Sequence, residues 1–330
     1  MIRKAVTAAA VLAAVALAAG CIETKQDHTL NPDGSGKVLV EMVIPQMPLG
    51  LGPPDGQGDG DLMAKQFVRQ ILDGSKGQFV RQILDGSKGV DAWSDVRYET
   101  TQDGRTKFIG TAYFKDFAQA KLQAGQMEGI SFTKDDKGGM VLLVKEQENA
   151  EPATPPKELP EEQMAQRIQA ERAQYQQMRP MVAATLGTMK MDVSFRLPGT
   201  LAEVNGFKKE PGGAVRLAFD GAQMLKALDE LMADDAYVRQ NVLAGEKGAG
   251  GPQMDPPTRE KLFGTKGPLR ARVTGPFQPL FPYESEAAAA RAAYPAMIER
   301  LGLNNLPAPP PTPTLPPGFG LPEGRKGIGG

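Results

Sequence analysis

The residue with the clearest chemical potential is Cys21, the only cysteine in the chain. A thiol can act as a nucleophile, a metal ligand or half of a disulfide. With one cysteine, however, the chain can form neither an internal disulfide nor a cysteine-based metal cluster. Three small residues, Ala18, Ala19 and Gly20, stand directly before it, and small residues in these positions fit the cleft of a signal peptidase. The pattern predicts cleavage before Cys21 and modification of its thiol.

The residues before Cys21 have the order of a secretory signal. A short positive start is followed by an uncharged apolar run at 5–17, which is too short to span the ~30 Å hydrocarbon core as a permanent helix. Residues 17–21, Leu-Ala-Ala-Gly-Cys, resemble the lipobox of bacterial lipoproteins, with Ala18 in place of the larger aliphatic residue that the family prefers. The resemblance implies that residues 1–20 are a signal peptide and that Cys21 is the lipidation site.

A lipidated Cys21 makes the membrane the first partner of this chain. Two or three acyl chains, such as palmitate, anchor a protein stably where one is marginal. The alternative is an ordinary secreted protein cleaved near the same small residues. Ile22 follows the cysteine, and by resemblance the absence of aspartate there favours the outer membrane of a two-membrane cell. We expect a cell-envelope protein that faces the periplasm or the exterior.

Composition excludes one class of partner. The chain carries 38 basic and 39 acidic side chains, a net charge of −1, with no basic stripe. Nucleic-acid binders need a concentrated positive surface, so no nucleic-acid partner is expected. The hydrophobic fraction of 41% is that of an ordinary globular protein with a packed core.

Three motifs approach known chemistry, and each lacks an essential group. Residues 34–37, Gly-Ser-Gly-Lys, lack the earlier glycine and the following Ser or Thr of a phosphate loop. Ser131 and Lys134 have the Ser-x-x-Lys spacing of penicillin-binding enzymes, but a predicted strand points them to opposite faces. The acidic segment 55–66 approaches a calcium loop, yet Gln66 replaces the bidentate glutamate. Weak calcium binding stays open there, and a solvated loop is the better interpretation.

The histidine and the carboxylates of the chain offer no recognisable catalytic group. His28 is the only histidine, which excludes a catalytic triad and a histidine-based zinc site within one chain. We predict that it lies exposed on the first strand. Paired carboxylates for hydrolysis stay open, because acidic residues are many, but none stands in a recognisable context. We therefore predict no catalytic residue, no metal and no cofactor, with an unrecognised hydrolase as an alternative.

The elements that would carry these groups are mostly strands. Residues 22–30 and 37–44 alternate apolar and polar around Asn-Pro-Asp-Gly-Ser-Gly, which predicts a β-hairpin. Further strands are predicted at 93–101, 106–115, 130–134, 140–145, 191–197, 214–219 and 268–274. Helices are predicted at 117–126, 161–187, 222–243 and 285–301. Strand aromatics are predicted to be core residues: Trp93, Tyr98, Phe108, Tyr113, Phe114, Phe132 and Phe195.

One segment is duplicated without a single change. Gln-Phe-Val-Arg-Gln-Ile-Leu-Asp-Gly-Ser-Lys-Gly occurs at 66–77 and again at 78–89, which indicates a recent duplication, since a structural repeat keeps its pattern while its letters drift. Twelve residues turn a helix by about 120° beyond three full turns. One continuous helix would therefore aim the two copies in different directions. We predict two short helices that break at Gly74 to Gly77, with only one copy packed in the core.

A resemblance covers the hairpin and a later pair of strands. Residues 22–44, with the Asn-Pro-Asp-Gly turn, and 191–220, with a Pro-Gly step before Asn-Gly, resemble the β-rich ectodomain of LppM-type bacterial lipoproteins. The resemblance implies a domain closer to lipid-binding barrels than to enzymes, and it carries over no functional residue. The expected fold class is α+β: an antiparallel β-sheet or half-barrel with packed helices and helical insertions at 66–89 and 161–187.

The expected organisation is a signal peptide at 1–20, an ectodomain in two parts at 21–150 and 151–303, and a disordered Pro/Gly-rich tail at 304–330. The expected function is that of a non-enzymatic, membrane-anchored envelope lipoprotein with a binding or scaffolding ectodomain. Its partner would be an envelope protein or an apolar ligand. A carrier of lipid or another apolar ligand is the alternative, and an apolar-lined cavity of several hundred Å³ would favour it.

Overall fold

The computed structural model describes residues 23–44, 77–102, 105–123, 129–144, 159–187, 189–244 and 255–305. Several of the expectations above fall outside these ranges. They concern Cys21 and the signal before it, the calcium-like segment 55–66, the first copy of the repeat apart from Gly77, and the tail from 306 onward. The described part is an α+β fold with two β-sheets and packed helices.

The larger sheet has the strand order β3-β4-β2-β1-β7-β10-β9. Its strands are β1 (Glu23–Leu30), β2 (Gly36–Ile44), β3 (Ala92–Thr100), β4 (Thr106–Phe114), β7 (Lys190–Arg196), β9 (Lys208–Glu210) and β10 (Ala214–Asp220). Neighbours are antiparallel except β1 and β7, which pair in parallel. The expected α+β fold class is confirmed, and within it the parallel β1–β7 pair joins strands from the two parts of the ectodomain.

The smaller sheet is antiparallel throughout, in the order β5-β6-β11-β8. Its strands are β5 (Ile130–Lys134), β6 (Met140–Val144), β8 (Thr200–Asn205) and β11 (Arg270–Thr274). The sequence does not predict β8 or β9. Neither strand has a fully buried residue, because both lie at sheet edges, so neither shows the alternation of apolar and polar residues that marks a half-buried strand.

The helices are α1 (77–86), α2 (Glu161–Leu186), α3 (Gly221–Ala233), α4 (Asp235–Ala244), α5 (Pro256–Phe263) and α6 (Tyr283–Arg300), with 3₁₀ turns at Pro211–Gly213 and Leu303–Asn305. The helix expected at 222–243 is two helices, since Asp234 breaks it and accepts a hydrogen bond from the Ala236 amide. The Asp220 side chain caps α3 by accepting a hydrogen bond from the Gln223 amide. α2 runs through Pro180 without splitting.

The helix expected at 117–126 is wrong over its described part. Residues 117–119 form a turn, in which the Asp116 side chain accepts a hydrogen bond from the Ala118 amide. The chain then leaves the turn to make a β-bridge between Lys121 and Lys88. In this extended pairing the backbone N–H and C=O of Lys121 bond to Lys88 at the end of the repeat, so they are not available for the hydrogen bonds of a helix.

One hydrophobic core joins the two sheets and α1. Val38, Val40 and Met42 lie together on the core face of β2, as the hairpin alternation predicts. Most of the strand aromatics are also buried, as expected: Trp93, Phe108, Tyr113, Phe114, Phe132 and Phe195. Tyr98 is the exception, because it lies near the end of β3 with 37% of its surface exposed.

The second copy of the repeat is an integral part of this core. Val80, Ile83 and Leu84 of α1 are buried in it. After the helix ends, Ser87 Oγ donates to the Ile83 carbonyl and accepts from the Gln123 amide. The described copy thus packs in the core, as predicted for one of the two. That the first copy lies outside the core stays a prediction.

Candidate functional site

A groove of about 540 Å³ crosses the outer face of the larger sheet. Its lining comes from six neighbouring strands: Asp95 of β3, Thr111 and Tyr113 of β4, Lys37 and Leu39 of β2, Asp27, His28 and Thr29 of β1, Ser194 and Arg196 of β7, and Ala214 of β10. Neighbouring strands lie about 4.8 Å apart, so six strands span roughly 24 Å. The groove therefore runs across the strands over this length.

The strand register brings residues that are far apart in sequence into two rows across the groove. In the first row, Thr29 pairs with Lys37 on one side and with Arg196 on the other. In the second row, Asp27 pairs with Ser194 across the parallel β1–β7 junction. The Thr29 hydroxyl thus lies between the cations of Lys37 and Arg196. In the next row, the Asp27 carboxylate lies beside the Ser194 hydroxyl.

Asp27 is the anchoring carboxylate of the groove. Ser194 Oγ donates to its Oδ1 at 2.6 Å, and Lys25 Nζ lies 2.9 Å from its Oδ2. Burial raises the pKa of Asp27, but the hydrogen bonds from Ser194 and Lys25 outweigh it, and the net pKa is lowered. Asp27 is therefore an ionised hydrogen-bond acceptor at neutral pH, and such a carboxylate is a poor general acid.

The first turn of α6 contacts two of the residues that line the groove, Lys37 and Tyr113. Glu286 accepts a hydrogen bond from Lys37 Nζ at 2.7 Å and from the Tyr113 hydroxyl at 3.3 Å. Lys37 also lies over the ring of Phe281, 4.4 Å from its centroid, in a cation–π contact. Burial is the main cause that raises the pKa of Tyr113, and the phenol therefore stays protonated and donates to Glu286.

Two charged groups of the groove are less constrained. Arg196 is exposed, and its guanidinium has no hydrogen bond or ion pair with another residue in the described ranges. Asp95 lies in an irregular step of β3 between Ser94 and Arg97, with a φ of 54°, and accepts a hydrogen bond from Ser94 Oγ. A positive φ is strained for a residue with a Cβ. The strand thus bends where it presents this carboxylate.

The prediction that His28 is exposed is wrong. Its side chain is 7% exposed and stacks on Phe195 with ring centroids 4.8 Å apart. Nε2 lies 3.0 Å from Gln26 Oε1, and Nδ1 has no partner among the described residues. Burial lowers the pKa of His28 to about 3, with only partial opposition from the charge of Asp27. The imidazole is thus neutral and belongs to the core.

The physical reason lies in the strand alternation. Thr24, Gln26 and His28 share the face of β1 that ends in Leu30, and all four are buried. Because Thr24, Gln26 and His28 are polar, the strand does not show the alternation of apolar residues that usually marks a core-facing row. The signal that could have identified this row is the period of two counted back from Leu30, which places Thr24, Gln26 and His28 on the buried face.

The other motif residues fall into structural roles. Ser131 is buried and Lys134 is exposed on β5, so they do not form the pair that a penicillin-binding enzyme needs. Gly34 occupies the hairpin turn with a φ of 89°, and the neighbouring Ser35 bonds to Asp33 instead of facing a phosphate.

Within the described ranges, His, Cys, Asp and Glu side chains form no group of three that could hold a metal ion. None of the helices described is long and apolar enough to cross a membrane.

No known family model and no curated protein matches this chain. Among solved structures, it is similar to the folded domain of the LppM protein of Mycobacterium tuberculosis, which was determined by NMR. The two share 11% identity and a TM-score of 0.23 over 61% of this chain and 82% of that domain. The matched domain belongs to an LppM protein, the type of lipoprotein that the sequence motifs resemble.

Proposed function

We propose that this protein is a non-enzymatic envelope lipoprotein, anchored to a membrane through Cys21, whose ectodomain binds a polar ligand in the groove. The observation that carries the binding role is the lining of that groove, in which hydroxyls and charged groups converge on one sheet face. Polar groups that converge in a pocket fix the orientation of a ligand and provide its specificity. The signal pattern and the lone cysteine support the anchor.

The hydrolase alternative finds little support in the groove. Glycoside hydrolysis needs one carboxyl group with a raised pKa as the general acid and a second one nearby. The groove holds the carboxylates of Asp27 and Asp95, and the pKa of Asp27 is lowered. A binding role needs only that these groups accept hydrogen bonds.

The carrier alternative requires an apolar-lined cavity. The lining of this groove is mostly polar, with Leu39 and Ala214 as its apolar members apart from the Tyr113 ring. Those side chains favour a polar ligand over an acyl chain. Lipid that co-purifies with the protein from its own host, detected by native mass spectrometry, would instead favour the carrier.

Replacing Cys21 by serine is expected to abolish acylation. Metabolic labelling with a fatty-acid analogue should mark the wild type and spare Cys21→Ser, because the thiolate is the nucleophile and the only cysteine is lost. Ala18→Leu, which restores the residue that the lipobox prefers, is the matched control and should keep the label. Label that survives Cys21→Ser would contradict the anchor. Fractionation of the labelled protein between inner and outer membranes tests the proposed outer-membrane location.

A further inference from the structure

We propose that the groove binds an extended, uncharged polyhydroxyl chain, that is, an oligosaccharide laid across the strands of the larger sheet. This inference rests on the binding role proposed above and names the chemical class of the ligand. Its support comes from the shape of the groove, its charge balance and the kind of hydrogen-bonding groups it presents.

The shape favours a single extended chain. The groove has a volume of about 540 Å³, and its lining residues extend over six strands, or roughly 24 Å of sheet. A compact ligand such as a nucleotide would need a deeper and shorter pocket. A groove of these proportions accommodates one polymer strand that contacts successive β-strands along its length.

The charges of the groove balance and are mostly satisfied within the protein. The groove lining holds two carboxylates, Asp27 and Asp95, and two cations, Lys37 and Arg196. Lys37 pairs with Glu286, and Asp27 pairs with Lys25. A polyanionic or polycationic ligand would meet groups of its own sign and gain no net attraction. The charge pattern therefore favours an uncharged chain.

The exposed polar groups match the hydrogen bonding of sugars. Thr29 and Thr111 carry hydroxyls, which both donate and accept. Ser194 Oγ donates its hydrogen to Asp27 and can still accept, and Arg196 adds donors with no partner in the described ranges. Sugar hydroxyls also donate and accept, so such a mixture can satisfy them. A bound peptide would need a sheet edge or apolar side-chain pockets. This groove crosses the sheet face and offers Leu39 as its largest aliphatic side chain.

The test measures binding of chitotetraose to the full chain by isothermal titration calorimetry, in a zwitterionic detergent that carries no sugar headgroup. We expect saturable binding that Arg196→Ala weakens about tenfold and Thr29→Val about fivefold, since each removes one set of hydrogen bonds. Arg97→Ala is the matched control. It removes an exposed arginine of the same sheet that pairs with Glu99 outside the groove lining, and it should leave the affinity unchanged. Unchanged melting temperatures show that the variants are folded.

Two results would overturn the ligand class. Cellotetraose and maltotetraose are titrated in parallel, and failure of all three sugars to bind saturably rejects an oligosaccharide ligand. Binding of an uncharged Gly/Ser heptapeptide that Arg196→Ala weakens would also reject it, while leaving the groove as a binding site. Sugar binding that is indifferent to both Arg196→Ala and Thr29→Val would reject the groove itself, and with it the proposed binding role.

Discussion

Replacing Ile83 by alanine is expected to lower the free energy of unfolding by about 2–5 kcal/mol, whereas the same change at Ile71 should alter it by less than about 0.5 kcal/mol. The two isoleucines hold the same position in two identical twelve-residue copies. Ile83 is 1% exposed and packs in the core with Val80 and Leu84, so truncation leaves a cavity there. Urea unfolding followed by the fluorescence of Trp93, the single tryptophan, measures both changes.

Deletion of one copy provides the matched control for this pair. Removing 66–77 or 78–89 yields the same polypeptide, because the copies are identical. The copy that remains joins directly to Val90, so it can rebuild the α1 contacts with the core. We expect equal or slightly greater stability, since a shorter connection between β2 and α1 costs less entropy to close. In this single-copy protein no second isoleucine can replace the truncated one, and the alanine change should show its full cost.

Two outcomes would contradict this interpretation of the repeat. A deletion that costs more than about 2 kcal/mol would show that both copies contribute to the core. Equal losses for Ile71→Ala and Ile83→Ala would lead to the same conclusion. In either case the duplication would be structural, and its perfect identity would need an explanation other than a recent, dispensable insertion.

The elements predicted correctly from the sequence are those whose signals are local. The β1–β2 hairpin follows from Asn-Pro-Asp-Gly, in which Gly34 takes the positive φ that the turn requires. The β5–β6 hairpin has the same origin, since Asp135 accepts hydrogen bonds from the amides of Lys137 and Gly139. Turn chemistry and alternation act within a few residues, which is why they can be recognised in one sequence.

The groove could not be predicted, because its geometry is set by long-range pairing. Thr29 lies between Lys37 and Arg196 only because β1 pairs with β2 in the hairpin and with β7 in parallel. The parallel contact joins strands separated by most of the ectodomain, and no local pattern records it. Thr29, Ser194 and Arg196 each look like ordinary exposed strand residues until the register of the sheet is known.

Acid is expected to destabilise the protein through His28. The pKa of the buried imidazole is lowered to about 3, from an ordinary value of 6.5, because burial disfavours its charged form. Below pH 6.5 the unfolded chain binds a proton at His28 that the folded protein does not bind until about pH 3. The free energy of unfolding therefore has its full value above pH 6.5. It falls as the pH is lowered toward 3, by about 1.4 kcal/mol per pH unit.

Between pH 7.5 and pH 4.5 this effect amounts to about 3 kcal/mol, and His28→Phe should remove it. Phenylalanine keeps an aromatic ring against Phe195 but cannot titrate, so the variant's free energy of unfolding should fall less over this interval. Thr24→Val is the control, because it replaces a buried polar residue on the same face of β1 without changing a titratable group. Asp135, with its pKa lowered to about 2 mainly by Arg272, loses its contribution only below its ordinary range and does not interfere. An unchanged pH dependence in His28→Phe would mean that the native protein accommodates the imidazolium, contrary to the burial of the ring.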